Sequence, residues 1–208
     1  MDRREEGRLT TGPLTPDEEP AATEVLARAF RDNPLNVAVI RGGPERRLRS
    51  NLHGMRALLP AARTHGEAWA LREGSRLCAA LVAVPPLMHP LPPAPLALRL
   101  RALFGQGMGA ALRWARVFEA LDALHPKEPH WYLGTFGVDP PLQRRGHGSV
   151  LLSAWLAGPD AEAGAVYLET DRIENVPFYE RAGFGVLRET AVLGVPVWCM
   201  RREPRIPR

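Results

Sequence analysis

The sequence is short of lysine, cysteine and aromatic side chains, and each shortage removes a class of explanation. Of its 27 basic side chains only Lys127 is a lysine, and the arginines are spread along the whole chain. Against 23 acidic groups the net charge is only +4, and no basic cluster is interleaved with stacking aromatics. A nucleic-acid-binding module is therefore not expected. The arginine skew, with 21 prolines beside it, reads as composition bias; a modest cationic excess suits small phosphate-bearing ligands better. The two cysteines, Cys78 and Cys199, sit in apolar, strand-like surroundings with no metal-ligand spacing and no redox motif. They are expected as buried free thiols. The six histidines contain neither a His-Glu-x-x-His pattern nor a cysteine partner, so no metal is expected. The longest apolar run, Leu77 to Met88, contains Pro85 and Pro86 and falls below the ~18 residues a membrane-spanning helix needs. Met1-Asp2-Arg3-Arg4-Glu5-Glu6 mixes charges without an apolar signal core, so no membrane partner and a cytoplasmic location are expected.

What is present is enough apolar material for one domain: 208 residues, 45% of them hydrophobic. A strand is expected over Arg8 to Leu14. A helix should follow, capped at Thr15 with Pro16 in its first turn, and Ala22, Val25, Leu26, Ala29 and Phe30 on its inner face. A second helix starts near Pro44, with Leu48, Leu52, Met55 and Leu59 in register. Two strands come next, Ala68 to Arg72 and Arg76 to Val84, joined at Glu73-Gly74-Ser75. Pro85 to Pro95 is proline-rich and reads as a rigid surface connection rather than a docking motif. Helix is expected up to about Leu124, broken at Gly105-Gln106-Gly107, with Leu112, Trp114, Ala115, Phe118, Leu121 and Asp122 as its core stripe. The rest alternates: strand Trp131 to Val138, helix Leu142 to Leu156 with Val150, Leu151 and Ala154 inward, strand Ala165 to Thr170, short helix Asn175 to Ala182. A hairpin, Val186 to Val192 and Val197 to Arg201, turns near Gly194. This order implies an α/β fold with a mixed sheet flanked by helices.

The chemistry concentrates in Val138-Asp139-Pro140-Pro141-Leu142-Gln143-Arg144-Arg145-Gly146-His147-Gly148-Ser149. A glycine-rich loop entering a helix presents unpaired N–H groups and the positive end of the helix dipole, a setting for phosphate or pyrophosphate. A Cβ at the glycines would hold the phosphate off the backbone. The Walker pattern is absent because no Lys-Ser/Thr follows the last glycine. The dinucleotide fingerprint is absent because Leu151 stands where its third glycine would be. The alternative is a glycine-rich helix start that binds nothing.

Gln143-x-x-Gly146-x-Gly148 opening a helix after a strand resembles the acyl-CoA pyrophosphate loop of the GNAT superfamily of N-acetyltransferases. Downstream, Tyr167-Leu168-Glu169-Thr170 and then Asn175-Val176-Pro177-Phe178-Tyr179, with Gly183-Phe184, look like that superfamily's second motif. His125-Pro126-Lys127-Glu128-Pro129-His130-Trp131-Tyr132-Leu133 and Val197-Trp198-Cys199-Met200-Arg201-Arg202 are similar to segments of the puromycin N-acetyltransferase group. The resemblance implies one domain over residues 1–208, with a helical insertion at about 86–124 and an acetyl-CoA-binding half at about 129–203. It implies a mostly antiparallel sheet with a splayed parallel strand pair. Acetyl-CoA would be the acyl donor and cosubstrate, and a small amine, of an antibiotic or metabolite, the acceptor. Protein N-termini or lysines are an alternative acceptor, and a non-catalytic acyl-CoA sensor an alternative role. A homodimer stays open.

Acyl transfer needs a neutral amine, a donor for the developing oxyanion and a proton for the departing sulfur. The resemblance puts a backbone N–H near Gly137 or Val138 at the thioester oxygen, with Phe136 beside it. Gly134 and Gly137 would let that strand bend or approach the ligand. Gln143, Arg144, Arg145, Gly146, His147, Gly148 and Ser149 would hold the phosphates. Tyr179, a phenol protonated at neutral pH, is the candidate acid; packing in the core is its other reading. Glu169 is the candidate base or amine binder, sharing a strand face with Tyr167; an ion pair with Arg172 is the alternative. His130 is a weaker base, and a water chain could also serve. Asn175 would contact pantetheine or a bridging water, or simply cap a helix. Phe178 and Phe184 are expected in the core.

Overall fold

The computed structural model describes residues 7–92, 95–158 and 164–204. Its strands are β1 (Leu9–Pro13), β2 (Glu67–Glu73), β3 (Arg76–Val84), β4 (Trp131–Val138), β5 (Val166–Thr170), β6 (Gly185–Val192) and β7 (Val195–Arg202). They form one sheet in the order β1-β2-β3-β4-β5-β7-β6. Every described pairing is antiparallel except β4 with β5. Helices α1 (Glu19–Ala29), α2 (Pro34–Val39) and α3 (Pro44–His65) precede β2, and α4 (Leu96–Gln106) and α5 (Met108–Asp122) stand between β3 and β4. Helix α6 (His147–Leu156) links β4 to β5, and the short α7 (Val176–Arg181) links β5 to β6. This is the mixed α/β architecture expected.

Both faces of the sheet are covered, which is why β3 is buried at every position after Arg76. On one face Leu81, Leu133 and Leu168 pack with Leu151, Leu152 and Trp155 of α6 and with Tyr179 and Phe184. On the other, Ala70, Ala80 and Val82 meet Val25 and Leu26 of α1 and Leu59 and Ala62 of α3. A third cluster joins Val39 and Ile40 to Ala110 and Val117 of α5 and to Val192 and Val197 of the last hairpin. The start of α1 is held by Glu18, whose carboxylate pairs with Arg72 of β2. That guanidinium, with the Thr15 N–H, lowers the Glu18 pKa to about 2.

Two expected faces are rotated. On α5 the inner stripe is Ala110, Trp114, Val117 and Leu121, whereas Leu112 and Phe118 are exposed. Ala110 and Val117 are the buried contacts of α5 over α2 and the hairpin, with Trp114 and Leu121 packed beside them. The helix expected from Leu142 begins at His147 instead, after a single 3-10 turn at Pro140–Leu142. The delay is set by backbone sign: Arg144 has φ 60° and Gly146 φ 87°, values outside a right-handed helix. Consequently Leu151, Leu152, Trp155 and Leu156 face inward, and Val150 is exposed. The break between α4 and α5 falls at Gly107, with φ 85°, as the glycine-rich step led one to expect.

Candidate active site

The parallel strands touch briefly. Trp131 pairs with Val166 and Tyr132 with Tyr167; beyond that, β4 runs on to Val138 and β5 to Thr170 without pairing to each other. The opening is helped by a bulge. Opposite β3 the register passes from Ala83↔Leu133 to Val82↔Thr135, leaving Gly134 without a partner. The extra residue inverts the alternation of side chains. Trp131 and Leu133 before the bulge, and Phe136 and Val138 after it, therefore all face the α6 side. Phe136 stacks on Phe178 of α7 with ring centroids 5.9 Å apart, lining the opening from both sides.

Gly137 serves a different purpose from the one expected. A Cβ there would lie 2.8 Å from Ala29 Cβ and 3.0 Å from Leu26 Cδ2. Its missing side chain admits α1 rather than a ligand. Gly134 keeps its expected role in bending the strand.

The loop after β4 is anchored by Asp139, which sequence reasoning passed over. Its carboxylate is buried and accepts from Arg28 Nε at 2.9 Å and from Arg76 at 3.3 Å, and its N–H donates to the Cys78 carbonyl at 2.9 Å. The Gln143 amide turns back to donate to the Val138 carbonyl at 3.1 Å. Arg144, Arg145, Gly146 and Ser149 are exposed. The first amide to bond back into α6 is that of Val150, to the Gly146 carbonyl at 3.0 Å. The amides of His147, Gly148 and Ser149 thus belong to the helix turn whose donors lack intrahelical acceptors. A Cβ at Gly146 would meet nothing within 4 Å, so the protein leaves this side of the loop open. Gly148 is different: its Cβ would sit 3.4 Å from Phe136 and Val138 and 3.6 Å from Phe178.

His147 points inward, buried, with Nδ1 lacking a hydrogen-bond partner. It lies with Glu73 and Cys78 in a group whose donor atoms are within 4.8 Å of one another. Three separate elements supply these residues, so no sequence spacing could reveal them. Burial pushes the Cys78 thiol up, and the group sits at the positive end of α6, both of which oppose a bound cation.

Across the opening, Tyr132, Tyr167 and Glu169 share the other face. Glu169 does not pair with Arg172, whose guanidinium instead donates to the Asp32 carbonyl at 3.2 Å. It faces His125: Oε1 lies 3.6 Å from Nδ1, with side chains 6% and 11% exposed. The His125 ring is enclosed by His89, Tyr132, Tyr167 and His130 at 4.1–5.0 Å. His130 Nδ1 bonds the Glu128 carbonyl at 2.7 Å, and burial lowers its pKa. Burial and the nearby Glu169 charge hold the hydroxyls of Tyr132 and Tyr167 firmly protonated.

Tyr179 lies on the α6 side, buried between Phe178 and Phe184. Burial, and secondarily the Asp171 charge, raise its pKa. Asn175 stands just before α7 but makes no side-chain cap; its amide donates to the Thr170 hydroxyl at 3.0 Å. Asp171, also missed from sequence, is half-buried and accepts from the Leu35 N–H at 2.8 Å, tying the end of β5 to the start of α2.

Residues 101–184 match the model of the acetyltransferase (GNAT) family. Over the whole chain the fold is similar to that of a Corynebacterium glutamicum protein described as histone acetyltransferase HPA2 and related acetyltransferase. The TM-score is 0.72 at 24% identity, covering 96% of this chain and 98% of that one. It is also similar to the polyamine N-acetyltransferase of Drosophila melanogaster, which forms N-acetylagmatine (TM-score 0.66, 14% identity, 94% and 100% covered). A third likeness is the ribosomal-protein-S18-alanine N-acetyltransferase of Escherichia coli (TM-score 0.53, 15% identity, 96% of each covered). The match over residues 101–184 and the fold over the whole chain together support an N-acetyltransferase similar to the GNAT enzymes.

Proposed function

We propose that the chain transfers an acetyl group from acetyl-CoA to a primary amine of a small molecule. The observation that carries this reading is the brief pairing of β4 and β5, with the Gly146 loop on one side of the opening and Glu169 on the other. Acetyl-CoA would supply the activated acetyl group. The amides of the first α6 turn, with Arg144 and Arg145, fit its phosphates. Phe136, Val138 and Asn175 would line the pantetheine path, and a Gly137 or Val138 N–H would face the thioester oxygen. Tyr179 holds a proton at neutral pH and would give it to the departing sulfur. Glu169 would take the proton of the incoming ammonium.

A small acceptor is favoured over a protein chain because Glu169 is only 6% exposed, beneath the segment that carries His89 and His125. The likeness of His125–Leu133 and Val197–Arg202 to the puromycin N-acetyltransferase group points the same way. So does the amine named for the Drosophila neighbour.

The test is acetyl-CoA turnover against a mixed amine library, with peptides bearing free N-termini and lysines as competitors and products identified by mass. Small-amine products are expected; peptide acetylation alone would overturn the choice of acceptor, and acetyl-CoA binding with no turnover would make the chain a sensor. Within a set of acceptors, Glu169→Gln should depress kcat most for the strongly basic ones. An alkylamine near pKa ~10.4 needs a base far more than an α-amine near ~7.7–8.0 does. Equal loss across the set, carried by KM, would assign Glu169 to holding the ammonium instead.

A further inference from the structure

Proline-rich residues 85–92 and the end of α5 deliver two histidines to the face of the sheet where Glu169 is buried. His125, just past α5, stacks on His89 with centroids 4.1 Å apart and planes 5° from parallel. His89 Nε2 is held at 3.1 Å by the Asp122 carboxylate, which is largely exposed. Both nitrogens of His125 are buried without a hydrogen bond, as is Glu169 Oε1. Unmade hydrogen bonds of buried groups are costly, so their concentration here marks groups awaiting a partner or a proton.

We propose that Glu169 and His125 act as a proton-accepting dyad for the acceptor amine, with His89 and Asp122 positioning His125 and stabilising its charged form. The proposal rests on the reading of Glu169 as base. The ammonium N–H bond breaks with its electron pair left on nitrogen, and the proton passes to Glu169. From Oε1 it moves to His125 Nδ1, restoring the carboxylate and creating an imidazolium, which afterwards yields the proton to solvent. The 3.6 Å separation shortens on occupancy, as such bonds do when substrate arrives. An imidazolium stacked on His89 lies near two carboxylates, Glu169 and Asp122. The other titratable groups around it are His130, Tyr132 and Tyr167, with Cys199 and Arg201 of β7 paired in register with Glu169 and Tyr167. The hydroxyls stay neutral, and neutral His130 adds no repulsion. His89 and His125 are thus working parts of the active site rather than surface connection.

The test compares pH profiles of kcat/KM for wild type, Glu169→Gln, His125→Gln and the double variant, using one strongly basic amine. His125→Gln should cost about 10²-fold, the lower end of the range for a single proton-transfer group, and remove the ascending limb. Because the two residues act as a unit, the double variant should be no slower than the slower single. Asp122→Asn should move the ascending limb to lower pH with little change in the plateau, since the lost anion no longer favours the imidazolium. A purely structural role would lower the plateau and leave the midpoint alone. Multiplicative losses in the double variant, or an unmoved limb in His125→Gln, would overturn the dyad while leaving acetyl transfer intact. An NMR titration of the His125 ring in unliganded protein gives a readout free of turnover: Glu169→Gln should lower its midpoint, and an unchanged midpoint overturns the pairing. His125→Asn is the second variant if Gln perturbs folding. Absence of turnover with every amine would sink the acetyltransferase reading itself, and the dyad's role with it.

Discussion

The two sides of the β4–β5 opening are assembled in opposite ways. The side proposed to hold the phosphates comes from consecutive residues, Val138 to Ser149, and is built mainly from backbone: a left-handed Gly146, a left-handed Arg144 and the first amides of α6. The side proposed for the acceptor is gathered from His89, Asp122, His125, Tyr132, Tyr167 and Glu169, and consists of side chains brought together by folding. A backbone device must be encoded locally, because the turn that makes it is local. A side-chain cluster has no such constraint, so its spacing in the chain carries no signature.

The largest expected effect asks whether chemistry needs both sides. Tyr179→Phe keeps the ring between Phe178 and Phe184 but removes the proton, so kcat should fall by about 10²–10⁴ with little change in apparent affinity for acetyl-CoA. The raised Tyr179 pKa adds a pH expectation: the acid stays protonated above its ordinary value near ~10. No decline in wild-type kcat assignable to Tyr179 should therefore appear as pH rises to that point. Wild-type turnover in the variant would return Tyr179 to the core and leave the acceptor side to carry the chemistry alone.

This contrast explains what could be read beforehand. The succession of strands and helices along the chain, and the glycine-rich loop before α6, were legible because period, turn residues and glycine placement are short-range signals. Motif alone nominates Glu169 and Tyr179, whereas the side chains around them could not be read in that way. Arg172 is the near neighbour in sequence of Glu169, yet the chain turns after Thr170 and sends Arg172 toward Asp32, while His125 arrives from a distant helix end. Gly137 was misjudged because a glycine admits a ligand and a helix equally well, and only the position of α1 decides between them. Leu112 and Phe118 were misjudged because hydrophobicity marks a face for burial only when something lies against it; here the face with Ala110, Trp114, Val117 and Leu121 makes the contact. Asp139 escaped notice because its value lies in Arg28 and Arg76, far away in the chain.

A second, smaller effect isolates the phosphate side. Acetyl-CoA should raise the Tm of the wild type, as a ligand selective for the folded state does. Gly146→Ala places a Cβ in open space, so nothing in the protein is displaced. Holding a left-handed φ without glycine costs roughly 1–2 kcal/mol. The unliganded Tm should drop by a few degrees, on the order expected for that cost, and the shift with acetyl-CoA should be lost or much reduced. Retention of the full shift would place the pyrophosphate elsewhere, and the local, backbone-built side would then lose its claim to function.

A further pair of substitutions separates two glycines that look alike in sequence. At Gly137 an added methyl meets Ala29 Cβ at 2.8 Å and Leu26 Cδ2 at 3.0 Å, atoms fixed in a buried helix. Gly137→Ala should therefore behave as overpacking, destabilising by about 1–3 kcal/mol. The penalty should be visible in denaturant melts with or without acetyl-CoA. At Gly148 the same methyl meets Phe136, Val138 and Phe178 at ordinary contact distances of 3.4–3.6 Å, so Gly148→Ala should leave the unliganded protein near wild-type stability. What it should change is acetyl-CoA affinity, because the residue sits in the first turn of α6 and borders the Phe136–Phe178 pair that lines the opening. Equal destabilisation by the two substitutions, with acetyl-CoA binding intact in both, would mean that Gly148 too is a packing residue and that the loop's second glycine serves the fold rather than the ligand.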